Sequence, residues 1–341
     1  MKKSFKKLLA MLVTCIIMVT TLGMSVWAAD LSKEVLKEAD VYAPATTFEF
    51  TIAEGSTQGP ILAGISEGLL FANGTKTVTM TSTPNAATLA STSYIVDAEG
   101  FVLDLTKFND PGTYRYTVQE TAGSYNGITY DDQVYTYDIT LVDNGAGLVL
   151  AGSVITDEDG SKVGGGPTTG DLTSITITNL YGVDEDGDPD PLNPTSTLTV
   201  TNAVAGDQGE TNKAFTFTIR IDGEAGEQYK MMIGSTETTL ASGTAATFQL
   251  KHGESAVITG LSATDVYTVS ENDYTAEGYV TTVVGNETGS IAANTTVAYT
   301  NTKNAPPLTG VIANIAPYLL LAALAVAMGL VFLDKKKKSE I

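Results

Sequence analysis

The sequence predicts an all-β protein built from two tandem sandwich-like domains. Three observations lead there. Runs of alternating polar and apolar residues recur along the chain, helical periodicity is scarce, and one ordered set of motifs occurs twice. A length of 341 residues also suits two domains of ordinary size.

The alternating runs lie at 47–52, 114–118, 134–142, 215–221, 255–259 and 296–300, with turn residues between them. Side chains two apart share a face of a strand, so this period marks half-buried strands. Many short strands with regular turns mark an antiparallel sandwich or barrel. The repeat then divides the chain. Phe48-Glu49-Phe50-Thr51-Ile52 echoes Phe215-Thr216-Phe217-Thr218-Ile219. Tyr116-Thr117-Val118-Gln119-Glu120 echoes Tyr267-Thr268-Val269-Ser270-Glu271, and Ile177-Thr178-Asn179 echoes Tyr299-Thr300-Asn301.

In chain order, residues 1–28 read as a secretory signal peptide. Lys2, Lys3, Lys6 and Lys7 form the basic region, an apolar stretch follows to Val26, and Ala28 closes a cleavage site. Residues 29–182 form the first domain. Residues 183–196 form a linker, marked by Pro, Gly and charge. Acids at 184, 186, 188 and 190 hint at a calcium loop, but no closing Glu follows and Pro189 interrupts, so no metal is assigned. Residues 197–304 form the second domain. The segment 305–310 holds Pro306-Pro307-Leu308-Thr309-Gly310, the run 311–333 is long and apolar enough to span a bilayer, and 334–341 is a basic tail carrying four lysines. Taken together, these last three segments resemble the cell-wall sorting signal of Gram-positive surface proteins, with Pro306 where that pattern has Leu. The resemblance implies cleavage by a sortase between Thr309 and Gly310.

Composition removes several functions. Between residues 30 and 309 there are 37 acidic residues against nine Lys and two Arg. Such a chain repels phosphate backbones, which excludes nucleic acid as a partner. One His (His252) and one Cys (Cys15, in the signal segment) exclude zinc fingers, disulfides and His-based triads. No cofactor motif appears, and the acids outside the strands read as those of turns and linkers. A secreted enzyme therefore has no constellation to support it.

Strand parity supplies the sharpest signal. Lys33 shares its face with Leu31 and Val35, Glu120 with Tyr114, Tyr116 and Val118, and Asn179 with Ile175 and Ile177. An amine, a carboxyl group and a carboxamide each point where the pattern places the core. Buried charges pair or neutralise. One reading is an ion pair of Lys33 and Glu120 capped by Asn179. Another leaves Lys33 on the surface at the edge of the first strand. The third is chemical: a neutral amine beside a carboxamide, with a neutral Glu to shuttle protons, can form a Lys–Asn isopeptide bond and release ammonia.

These motifs, in this order from about Leu31 to Gly310, resemble the backbone pilins of Gram-positive sortase-assembled pili. The residues that carry the likeness are Lys33 some fifteen positions before Phe48-Glu49-Phe50, the stretch 111–120, the stretch 127–138 and Thr176-Ile177-Thr178-Asn179. The resemblance implies immunoglobulin-like β-sandwich domains. It implies Lys33 and Asn179 as a bonded pair with Glu120 as promoter, and Lys37 as a rival amine. It implies a wall-anchored or fimbrial structural protein that is tethered to the membrane before sortase cleavage and is not an enzyme beyond its own single crosslink. Its partners would be a sortase, further copies of itself, minor pilins and peptidoglycan; the host receptor is unknown. Lys162, in an acidic, Gly-rich stretch, is the expected acceptor for the next subunit. The alternative function is an anchored adhesin or stalk that never polymerises. In the second domain Asn202 stands where the pattern has Lys. Asn202, Glu271 and Asn301 are therefore expected to form a hydrogen-bonded cluster without a covalent bond.

Overall fold

The computed structural model describes residues 25–26, 29–166, 171–188, 190, 195–291, 293–305 and 317–328. The first half holds β1 (Ser25–Val26), β2 (Asp30–Lys37), β3 (Thr47–Glu54), β4 (Ile61–Ala63), β5 (Leu69–Phe71), β6 (Thr77–Thr81), β7 (Ser93–Asp104), β8 (Gly112–Thr121), β9 (Ile128–Thr129), β10 (Val134–Asp143), β11 (Leu148–Thr156), β12 (Lys162–Gly166) and β13 (Ile175–Tyr181). The second half holds β14 (Ser196–Ala205), β15 (Phe215–Asp222), β16 (Gln228–Ile233), β17 (Thr236–Ala241), β18 (Ala246–Leu250), β19 (Ser255–Leu261), β20 (Val266–Glu271), β21 (Val280–Val284), β22 (Thr288–Ser290) and β23 (Thr295–Thr302).

In the first half, one sheet runs β1-β7-β2-β13-β9 with β5 beside β7, and the other runs β12-β11-β10-β8-β3-β6 with β4 beside β8. In the second half the orders are β17-β16-β19-β14-β23-β21 and β18-β15-β20-β22. Each pair of sheets encloses its own core. The first is centred on Phe48, Phe50, Phe101, Tyr116 and Tyr137, the second on Phe215, Phe217, Tyr267 and Tyr299. The alternation seen in the sequence is the cause: β2 buries every second residue from Leu31, and β8 does so from Tyr114. Between the cores, the Asp184 carboxylate accepts the backbone N–H groups of Asp186 and Asp188, which organises the acidic connection as a turn.

The expected antiparallel pattern needs correction at three pairs, the shortest of them β4 alongside β8. In each half the first and last strands are parallel neighbours, β2 with β13 and β14 with β23. Both strands run the same way, so the chain enters at one end of the sheet and leaves at the other. The predicted signal segment lies outside the described residues except for Ser25–Val26, which pairs with Leu103 and Asp104. Residues 317–328, inside the predicted membrane span, are helical. Among the described residues no helix is long and apolar enough to cross a membrane.

Among the described residues, hydrogen bonds tie the two halves together. The Tyr42 and Thr239 hydroxyls lie 2.6 Å apart, and Lys230 Nζ donates to Asp40 Oδ1 at 2.7 Å. The Thr259 hydroxyl donates to the Asp40 carbonyl at 3.2 Å, and Asn126 Nδ2 donates to Thr264 Oγ1 at 3.1 Å. Close by is an acid that the strand pattern does not single out. Glu227 is only 3% exposed. Its Oε2 accepts from the Tyr229 hydroxyl at 2.8 Å and from the Glu224 N–H at 2.9 Å. Burial, reinforced by the nearby Asp265 charge, pushes this carboxyl up to about 7.

A carboxyl raised in the folded state holds its proton more tightly there than in the unfolded chain. Its contribution is complete below its ordinary value near 4.5 and is lost as pH rises towards 7. Glu227→Gln should therefore stabilise the protein at pH 7.5, by up to about 3 kcal/mol, and leave it nearly unchanged at pH 4.5. Thermal unfolding at the two pH values checks this. Equal shifts at both would show that the carboxyl does not titrate in this window.

Candidate functional site

The three polar residues singled out by parity come from both sheets of the first domain. β2 and β13 lie side by side, with Lys33 opposite Ile177 and Val35 opposite Asn179. Lys33 and Asn179 are thus two positions apart on adjacent strands and face the same core. β8 belongs to the other sheet, where Glu120 pairs with Phe50 of β3. Its carboxyl group reaches across the sandwich.

There it takes both partners at once. Lys33 Nζ donates to Glu120 Oε2 at 3.0 Å, and Asn179 Nδ2 donates to Oε1 at 2.7 Å. The Lys33 and Glu120 side chains are wholly buried, as is Asn179. The ammonium also lies 4.9 Å from the centre of the Phe48 ring and 5.7 Å from that of Phe50. Asn179 Oδ1 accepts the backbone N–H of Asp131 at 2.9 Å. A donor at that oxygen draws electron density from the amide carbon and would stabilise negative charge developing on the oxygen.

Burial acts on both ionisable groups in the direction of neutrality. It pulls the Lys33 amine down to about 8, against the opposing pull of Glu120. It pushes the Glu120 carboxyl up, although Lys33 and Asn179 favour the charged form. An amine at about 8 is about one-tenth free base at pH 7. Transfer of one proton from Lys33 to Glu120 would leave a neutral amine beside a carboxamide held by an acceptor at Nδ2 and a donor at Oδ1, a nucleophile next to an activated acyl carbon.

Lys37 shares the buried face of β2 but not this arrangement. Its Nζ donates to the carbonyl oxygens of Ser91 at 2.6 Å and Glu38 at 3.1 Å. Burial lowers it to about 8 as well. Its hydrogen-bond partners are backbone carbonyls, with neither a carboxyl group nor a carboxamide among them.

The second domain repeats the frame. Asn202 lies opposite Tyr299 and Val204 opposite Asn301, and Glu271 pairs with Phe217. Position by position, Asn202 stands where Lys33 stands. Asn301 Nδ2 donates to Glu271 Oε1 at 2.6 Å and to Asn202 Oδ1 at 3.1 Å, while Asn202 Nδ2 donates to the Leu250 carbonyl at 3.0 Å. Asn202 and Asn301 are buried, and Glu271 is half-buried, with its carboxyl pushed up by burial. Sequence reasoning missed Thr281 on β21, directly opposite Asn301. Its hydroxyl lies 2.6 Å from Asn301 Oδ1 and 3.0 Å from Glu271 Oε2. One hydroxyl proton cannot serve both contacts, so a neutral Glu271 donating to Thr281, which in turn donates to Asn301, satisfies the whole set. Asp131 was likewise missed, because it acts through its backbone.

Lys162 opens the edge strand β12 and is exposed. It lines a shallow groove with Thr113, Asp138, Thr140, Ser153 and Val154. The sorting residues Pro306, Pro307, Leu308, Thr309 and Gly310 lie outside the described residues. Among the described residues, no cluster of three or more potential metal ligands occurs.

With this geometry in hand, comparison with known proteins is direct. Residues 30–181 match the family described as the Spy0128-like isopeptide containing domain. Residues 196–303 match a domain of unknown function, DUF7601. A pilin of Streptococcus pyogenes serotype M1 is 29% identical over 258 residues, 67% of this chain and 69% of that one. The crystal structure of a Streptococcus pyogenes major pilin superposes with a TM-score of 0.55 at 23% identity, over 84% of this chain and all of that one. A major pilin from a second Streptococcus pyogenes serotype gives 0.51 at 22%, over 82% of this chain and 99% of that one. The likeness to major pilins read from the sequence therefore holds in sequence and in fold.

Proposed function

We propose that this pilin is the shaft subunit of a Gram-positive surface pilus, polymerised and wall-anchored by a sortase and stiffened by one Lys33–Asn179 isopeptide bond. The observation that carries the reading is the single buried carboxyl group of Glu120, which holds the amine on one oxygen and the carboxamide on the other. Lys33 passes a proton to Glu120, and its free amine attacks Asn179 Cγ. The Asp131 N–H steadies the charge on Oδ1. Glu120 gives its proton to Nδ2 and takes up the second proton of the attacking amine; the Cγ–Nδ2 bond breaks, ammonia leaves and Glu120 remains protonated. Fixed neighbours make the attack effectively unimolecular, so no external enzyme is needed for it.

The bond would close a loop of 147 residues. By analogy with loop entropy in disulfides it would stabilise by about 5 kcal/mol. A pulled subunit gains more from the change in load path. Inter-strand hydrogen bonds are worth only about 1 kcal/mol each, whereas a covalent link between first and last strands lets force bypass everything between them.

Polymerisation on this reading moves the Thr309 carbonyl from Gly310 to a lysine amine of the next copy. Lys76, Lys107, Lys213, Lys230 and Lys303 are each held in an ion pair. Among the described residues, Lys162 and Lys251 have none, and Lys162 has the groove beside it. The domain limits 29–182, 183–196 and 197–304 are proposed with removal of 1–28 at export and retention of 311–341 by the membrane until cleavage. Minor pilins and peptidoglycan complete the proposed partners.

Intact-mass and peptide analysis of residues 30–309 should show one ammonia missing, about 17 Da, in a peptide joining Lys33 to Asn179. Glu120→Ala and Lys33→Met should each restore the full mass and lower protease resistance, while Lys37→Met should keep the deficit. A full mass in the parent protein would refute the crosslink. In the native host, wall extracts should give a high-mass ladder on denaturing gels, which Lys162→Arg collapses to monomer. A single band in the parent would instead favour an anchored adhesin or stalk, and a ladder unaffected by Lys162→Arg would move the linkage to another amine.

A further inference from the structure

The second domain is a complete amide-activating site from which only the amine is missing. Its acceptor, Asn301, is buried and held by a carboxyl group at Nδ2 and by a hydroxyl at Oδ1. In the first domain the same two atoms of Asn179 are held by Glu120 and by the Asp131 N–H. The frame agrees to the residue: Lys33 and Asn202 each lie two positions ahead of the acceptor on the neighbouring parallel strand, and each carboxyl group pairs with a buried phenylalanine, Phe50 or Phe217. At the amine position stands a carboxamide, whose nitrogen lone pair is delocalised and not nucleophilic.

This difference has a mechanical consequence. Load that enters anywhere before Ser196 and leaves beyond Thr302 must cross the second domain, whether it enters at Lys162 or at the chain's start. It is applied to the N-terminal end of β14 and the C-terminal end of β23. These are parallel neighbours paired from Leu198 opposite Thr295 to Ala205 opposite Thr302. Opposite ends of a parallel pair are pulled in shear, so their hydrogen bonds bear the load together and fail together.

We propose that the second domain is the yielding element of the chain: a shear clamp kept extensible by Asn202, which unfolds and refolds under tension while the first domain stays closed. The inference rests on the load-bearing reading above, but it concerns a domain in which that reading places no bond. Asn202→Lys alone should complete the site. The new amine nitrogen bonds to Asn301 Cγ, the Cγ–Nδ2 bond breaks, one amine proton passes through Glu271 to the leaving group, and ammonia departs.

The test uses the chain from residue 30 to 309, which contains both cores, tethered at its ends for single-molecule stretching. The parent should show one reversible unfolding step for the 107 residues from Ser196 to Thr302, about 35 nm of contour length. Asn202→Lys should reduce that step to at most about 3 nm, because only residues 196–202 and 301–302 remain in the path. Its peptide map should lose one further ammonia between positions 202 and 301, and adding Glu271→Ala should abolish that loss. Asn202→Met, which supplies no amine, should keep the parent's step. Absence of the 35 nm step in the parent, or an ammonia lost from its second domain, would overturn the proposal. So would an Asn202→Lys protein that retains the full step and mass. If Asn202→Lys fails to fold, the parent's step still decides extensibility, and the map of the parent's second domain decides whether Asn301 is already used. A crosslink missing from the first domain would be seen in a different peptide, so the two readings fail separately.

Discussion

A carboxyl group shut inside the first sandwich sets the terms for the rest of this protein. Glu120 is shut away from solvent, and among the described residues the cation that reaches it, Lys33, is buried with it. Two isolated charges there would be costly, and an ion pair only partly offsets the cost of desolvation. The low-cost arrangement shares protons among amine, acid and amide. On the proposed reading, the same desolvation that penalises charge makes the amine nucleophilic and the acid a proton carrier, so stability and reactivity at this site would have one physical origin.

The second domain shows how narrow the margin is. Its strands, register, acid and acceptor reproduce the first, and a hydroxyl replaces a backbone N–H as the donor to the acceptor oxygen. On the proposed reading, the amine of Lys33 against the carboxamide of Asn202 separates a site that closes covalently from one that hydrogen-bonds. A shaft made of such subunits would alternate a locked unit with a compliant one. Tension would then be taken up by strand shear in one half and by a covalent short-cut in the other.

The two halves also touch one another directly. Asp40, just past the first strand, holds Lys230 and Thr259 of the second half. Glu227 and Asp265 are buried close by. In a chain this acidic, most lysines are drawn into ion pairs. An exposed lysine without one, such as Lys162, therefore stands out.

Period-two patterning reached far into this molecule. It located strands such as β3, β8, β10, β15, β19 and β23 and the inward faces of Lys33, Glu120 and Asn179, because a strand's alternation is written locally and burial follows it. It did not separate Lys33 from Lys37, which share a face. Only the packing of the opposite sheet puts a carboxyl group beside one and backbone carbonyls around the other. Nor did it show the parallel pairing of first and last strands, the Asp131 N–H, Thr281 opposite Asn301, or the burial of Glu227. Each of these depends on which distant segments meet. Local sequence determines which way a side chain points, but what it finds there is decided by the rest of the chain.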